Sequence, residues 1–223
     1  MTRTPLKSRK LPAYTKGEEV FNMTSHIVGG GLGIVITVLC VVLSALHRDV
    51  WALVGCSVYG VSLILLYTAS SVYHGLKPGL AKKVFQVIDH CTIYFLISGT
   101  YTPILFCAIR RRSPFWGWLI FGVVWGLAFF AATMTAIDLK KYRVLSMICY
   151  IGMGWCIVFA AKTAIESIPL PGLIWLLAGG VAYTVGAVLY GLGKKIRYMH
   201  SVFHLFVIAG SVCQFVCIFF YII

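Results

Sequence analysis

A bundle of seven membrane-spanning helices, with the N-terminus in the cytoplasm and the C-terminus outside, is the fold this sequence predicts. Composition is the first of three observations behind it. The 223 residues are 60% hydrophobic and only 11% charged, against about 25% charged in a soluble globular domain. Second, apolar runs near the roughly 20 residues of a bilayer crossing recur along the whole chain. Third, Lys and Arg are unevenly shared between the segments joining those runs.

The runs place seven spans at about 20–45, 51–73, 84–108, 115–136, 144–164, 172–192 and 199–222. Because so many recur, none reads as a cleavable signal peptide. Residues 1–18 read as a flexible, basic cytoplasmic tail, and residues 19–223 as a single transmembrane domain without internal repeats. With the N-terminus inside, the cytoplasmic segments hold fourteen of the nineteen basic residues: Arg3, Lys7, Arg9, Lys10, Lys16, Lys77, Lys82, Lys83, Lys140, Lys141, Arg143, Lys194, Lys195 and Arg197. The outer segments hold Arg48, Arg110, Arg111, Arg112 and Lys162. This bias orients the chain, although the Arg110–Arg112 run violates it. The net charge of +13 therefore belongs to loops facing anionic lipid head groups, and nucleic-acid binding is excluded. The expected location is the cell membrane, as a multi-pass protein of the bacterial inner (plasma) membrane type, and membrane lipids are the expected partners.

Several local features read as structural. Gly29 and Gly33 share a helix face and suit close packing rather than a phosphate loop. Pro103 is expected to kink span three, with the hydroxyls of Thr100, Tyr101 and Thr102 near the carbonyl it frees. The eight cysteines are scattered through apolar segments without a CxxC and read as small packing residues. Trp51, Trp116, Trp118 and Tyr142 read as interfacial anchors. His47 and Asp49 read as solvated, and Asp138 and Glu166 as ordinary loop acids.

The remaining polar residues gather. Glu19, Asn22 and His26 open span one, Ser70 and His74 close span two, Asp89 and His90 open span three, and His200 and His204 open span seven. All four groups fall at one membrane depth, on the cytoplasmic third. Intramembrane ionisable residues are costly and usually functional. His200 and His204, four apart on a helix, share a face and can hold one metal ion. Taken alone, an HxxxH pair is weak evidence, and a lone histidine on an apolar face is usually a satisfied core group. Agreement in depth across four helices lifts the set. His74, His200 and His204 together give a three-nitrogen site that suits zinc and leaves a fourth position open, the pattern of a catalytic site. Asp89 can orient or deprotonate a water there, and Ser70 can donate a hydrogen bond to a developing oxyanion. Haem is disfavoured because its axial ligands must come from opposite sides of the ring. A proton relay or transporter is disfavoured because the polar layer lies off the midplane.

These residues resemble the haemolysin III family, the bacterial branch of the progestin and adipoQ receptor family. The marks are Glu19-x2-Asn22-x3-His26, Ser70-x3-His74 followed by Asp89, and His200-x3-His204, with Ser98-Gly99-Thr100-Tyr101-Thr102-Pro103 also similar to the bacterial branch. The resemblance implies a seven-helix bundle with Zn2+ on its cytoplasmic side, held by His74, His200 and His204, with Asp89 contacting it through water. It implies a relationship to alkaline ceramidases, which are zinc amidases, and an association with membrane lipid homeostasis. The expected function is thus that of a zinc-binding membrane protein in membrane lipid homeostasis, one form of which is a zinc-dependent hydrolase of a lipid amide or ester. The alternatives are a non-enzymatic sensor or receptor clamped by a structural zinc, and a pore-forming cytolysin, for which the chain shows neither a wide polar conduit nor an amphipathic inserting segment.

Overall fold

The computed structural model describes residues 4–193 and 196–223; Arg3, Lys194 and Lys195, which enter the charge bias, lie outside them. Among the described residues there are seven helices long and apolar enough to cross a membrane: α1 (Lys16–Leu46), α2 (Val50–Gly75), α3 (Leu80–Arg112), α4 (Pro114–Ile137), α5 (Arg143–Ser167), α6 (Leu170–Leu192) and α7 (Met199–Tyr221). The chain is a multi-pass membrane protein with a seven-helix bundle. Each helix runs opposite to the one before it. The starts of α1, α3, α5 and α7 therefore meet the ends of α2, α4 and α6 at one end of the bundle, here termed the histidine end.

The differences from the expected spans have local causes. Helix α1 begins four residues before its apolar run because Thr15 and Glu18 form a capping box: each side chain accepts from the other's backbone N–H, which satisfies two of the free donors at a helix start. Helix α2 starts at the Asp49 cap, whose carboxylate accepts from the N–H groups of Trp51 and Ala52. Helix α3 extends past the expected end to Arg112 through a π-helical stretch at Leu105–Ile109, just after Pro103. Proline at 103 cannot bond the Gly99 carbonyl. The neighbouring hydroxyls of Thr100 and Thr102 bond the Leu96 and Ser98 carbonyls instead, so they flank the freed carbonyl rather than replace its partner. Helix α5 tightens to a 3-10 turn at Cys156–Ala160.

Helix α3 is the most buried span and α6 the least. α1 packs on α2, α2 on α3, α3 on α4 and α6 on α7, and α1 also meets α7. Small residues permit these approaches. A Cβ on Gly29 would lie 2.7 Å from the Tyr67 ring, and one on Gly99 would lie 2.2 Å from the Ser62 hydroxyl. Gly29 and Gly33 thus serve the close packing of α1 on α2. Six of the eight cysteines are buried, all as free thiols.

The segment before α1 is tied to the histidine end. The Thr4 N–H donates to Asp138 at 2.9 Å, Arg9 donates to the Ile137 carbonyl at 2.8 Å, and Lys83 donates to the Lys7 carbonyl at 2.5 Å. Asp138 is no ordinary loop acid. It is buried, and it also accepts from the N–H groups of Lys140 and Lys141. The Thr4 N–H, joined by these two, holds its carboxyl down at about 2.

The opposite end explains the Arg110–Arg112 run. Arg111 pairs with Asp49, Arg112 pairs with Glu166 at 2.9 Å, and the Arg110 guanidinium lies 3.9 Å from the centre of the Trp51 ring. Asp49 and Glu166 are thus engaged acids, and Glu166 lies on α5 rather than in a loop.

A buried three-histidine centre

Two helix ends deliver the three histidines. His74 lies in the last turn of α2, and His200 and His204 occupy the first two turns of α7. All three are buried, at 3%, 5% and 1% exposure. The His200 Nε2 lies 3.4 Å from His74 Nε2 and 3.2 Å from His204 Nε2. The three residues form a group able to hold a metal ion.

The donor set fits a metal on its own chemistry. The His74 Nδ1 lies 2.7 Å from Glu19 Oε2. A carboxylate only accepts, so Nδ1 carries the proton and Nε2 presents its lone pair to the other two rings. Nitrogens held about 2.0–2.1 Å from a tetrahedral ion stand about 3.3 Å apart. The 3.2 and 3.4 Å from His200 to the other two rings match that spacing, and all three ligand atoms lie within 4.8 Å of one another.

The expected supporting residues divide. Glu19 touches His74 directly. His26 stacks on His204, with ring centres 3.7 Å apart, and meets Tyr67 edge-on. Asn22 is fully buried, and neither its amide atoms nor the His26 nitrogens have a hydrogen-bond partner among the described residues. Asp89 and Ser70 are not in the three-histidine group. They line, with His26, His200 and His204, a cavity of about 150 Å³. From there the cavity runs between α3, α5, α6 and α7 past apolar walls that include Leu96, Ile104, Leu176 and Val207, and it reaches Gln214. His204 and Gln214 are ten residues apart on α7, about 15 Å at the helical rise. His90 lies outside the three-histidine group: its ring lies 3.0 Å from the Tyr190 hydroxyl and 2.8 Å from the Gln86 carbonyl.

Three contributors escape the sequence reading. Tyr14 stacks on His200 with ring centres 4.9 Å apart, and so covers the histidines from the loop side; burial pushes its hydroxyl pKa up. Glu18 joins two helix starts, since its carboxylate takes the Thr15 N–H and hydroxyl together with the Tyr198 N–H. Tyr198 precedes α7 in a left-handed conformation (φ 62°), a strained backbone of the kind found beside functional sites. Lys82 is buried and contacts Glu19 at 2.9 Å. The pattern Thr15-x-x-Glu18 is the one sequence signal among these, and as a capping box it marks Glu18 alone.

Seven apolar helices around a metal-capable histidine centre, built from the first, second and last spans, define a class of membrane protein. The comparisons with known proteins give that class a family. Residues 14–215 match the family described as Haemolysin-III related, and the chain belongs to it. It is 36% identical to hemolysin-3 of Bacillus cereus over 217 residues, 97% of each chain. It is 34% identical to a hemolysin-3 homolog of Bacillus subtilis (strain 168) over 93% of this chain and 96% of the relative. A more distant relative is the human monocyte to macrophage differentiation factor, 27% identical over 79% of this chain and 75% of the relative.

Proposed function

We propose that this chain binds zinc at His74, His200 and His204 and hydrolyses an amide or ester bond of a membrane lipid, with its N-terminus and histidine end in the cytoplasm. The observation that carries this reading is the junction of the histidine centre with the apolar-walled cavity, which Asp89 and Ser70 line together with two of the three histidines. A zinc ion on three imidazoles supplies acidified water and carbonyl polarisation. The rest of the chemistry belongs to the protein. Hydrolysis adds water across the acyl–nitrogen or acyl–oxygen bond and releases a carboxylic acid with an amine or an alcohol. The Asp89 carboxylate accepts a proton from the attacking water and returns it to the leaving group. The Ser70 hydroxyl donates a hydrogen bond to the carbonyl oxygen as charge builds there. The cavity has room for roughly ten water-sized groups, enough to hold a similar number of chain methylenes and to align the carbonyl with the histidines. Tyr14 limits bulk water on the loop side.

Purified protein with bound zinc, presented with N-acyl and O-acyl lipids in bilayers, is expected to release free fatty acid, and His200→Ala is expected to stop it. No turnover across a broad lipid panel would sink the hydrolase reading.

A second reading has its own support. Glu19, His74 and the α7 histidines come from three spans, so a metal there also clamps α1, α2 and α7 together. In a sensor built this way, His204→Ala would unfold the bundle while Asp89→Asn left the cellular phenotype intact. The pore-forming reading suggested by the relatives' names gains no support from the cavity, whose inner walls are apolar.

A further inference from the structure

We infer that Lys82 is a positioning residue for the metal centre, acting through Glu19 on His74; the inference rests on the reading that the three histidines hold a metal. Nothing in the spacing of the motifs singles Lys82 out, since it looks like one more basic residue in a loop. In the structure it lies in the first turn of α3 with its side chain 4% exposed.

A buried ammonium needs its charge met and its three N–H donors used. Both needs are met by groups that hold His74. The Nζ donates to the carbonyls of Tyr73 at 2.9 Å, His74 at 3.4 Å and Leu76 at 3.1 Å. These are carbonyls at the end of α2, left without helical partners and at the negative end of its dipole. The same Nζ lies 2.9 Å from Glu19 Oε1, while the other oxygen, Oε2, lies 2.7 Å from His74 Nδ1. The face of Tyr73 closes the pocket, with its ring centre 4.9 Å from Nζ.

One carboxylate thus divides its two oxygens between an ammonium and an imidazole. Lys82 fixes the rotation of Glu19, and Glu19 fixes the ring plane and tautomer of His74, with Nε2 toward the centre. Lys82 also anchors the α2 backbone that carries His74, so ring and backbone are located from one point on α3. The charges of Lys82 and Glu19 cancel, which leaves His74 as a neutral ligand in a site without excess charge. Partners of a metal-bound histidine typically change metal affinity by about 10–100-fold when removed.

The test is a chelator competition for Zn2+ and Co2+ on the purified full chain in nanodiscs, with the visible absorption band of the Co2+ form as a spectroscopic readout. Glu19→Gln and Lys82→Met are each expected to weaken binding at least tenfold and to alter the Co2+ band. Because Lys82 acts through Glu19, adding Lys82→Met to Glu19→Gln should weaken binding less than a further threefold. Lys82→Arg, which keeps the charge, should recover most of the affinity. If Lys82→Met does not fold, Lys82→Gln takes its place, since it keeps a donor for the α2 carbonyls and lacks the charge. Affinity within twofold of wild type, or losses that multiply in the double variant, would overturn the inference and leave the metal reading intact. A wild-type chain that binds neither ion overturns both.

Discussion

The two ends of this bundle both carry charge, and they use it differently. At the histidine end Glu19, Lys82 and the three histidines interlock over contacts of 2.7–3.4 Å, and all but Glu19 are buried. At the opposite end Arg111–Asp49 and Arg112–Glu166 tie the end of α3 to the α2 cap and to α5, with both arginine side chains more than half exposed. Exposed ion pairs contribute only about 0–1 kcal/mol, because water and salt screen them. Buried charges are costly unless every partner is present. Burial, rather than the presence of charge, sets the histidine end apart from the other.

The most disruptive way to probe that contrast is to remove a ligand. His200→Ala or His204→Ala should lower metal affinity on the order of a thousandfold, given the large binding energies of such sites; chelator competition measures it. Asp89→Asn is expected to keep the metal while lipid hydrolysis falls about 10²–10⁴-fold, read as released fatty acid. Stripping the metal should lower the thermal midpoint of wild type, since a ligand at a thousand times its Kd stabilises by about 4 kcal/mol. His204→Ala, already without metal, should show no such response to chelator.

The smaller effects lie outside the centre. Asp138 has its folded pKa depressed from 3.8 to about 2. Its contribution is therefore complete above about pH 3.8 and is lost as pH falls through about 2. Hydrogen exchange of the Thr4 amide should follow that window, and Asp138→Asn should remove the protection at neutral pH. At the opposite end, Arg112→Ala should cost less than about 1 kcal/mol, and less still in high salt.

Much of this architecture is legible in the sequence, because a bilayer leaves few options. Seven apolar runs must become seven helices, and polar residues at four helix ends must share a depth. His74, His200 and His204 were readable for that reason. Tyr14 and Lys82 were not. Tyr14 lies in a stretch that reads as a tail, and its value comes from stacking on a ring carried by α7, nearly the whole chain away. Lys82 looks like a basic loop residue, and only the meeting of α1, α2 and α3 shows it inside the protein. The role of the Arg110–Arg112 run was hidden likewise, since its partners Asp49 and Glu166 are far from it in the chain.

The central claim is that three buried histidines hold one zinc ion. Elemental analysis of the purified wild-type chain, beside His74→Ala, His200→Ala and His204→Ala, tests it most directly. About one zinc per chain in wild type, lost in each variant, is the predicted result. Wild type without stoichiometric metal, or variants that keep it, would contradict the account.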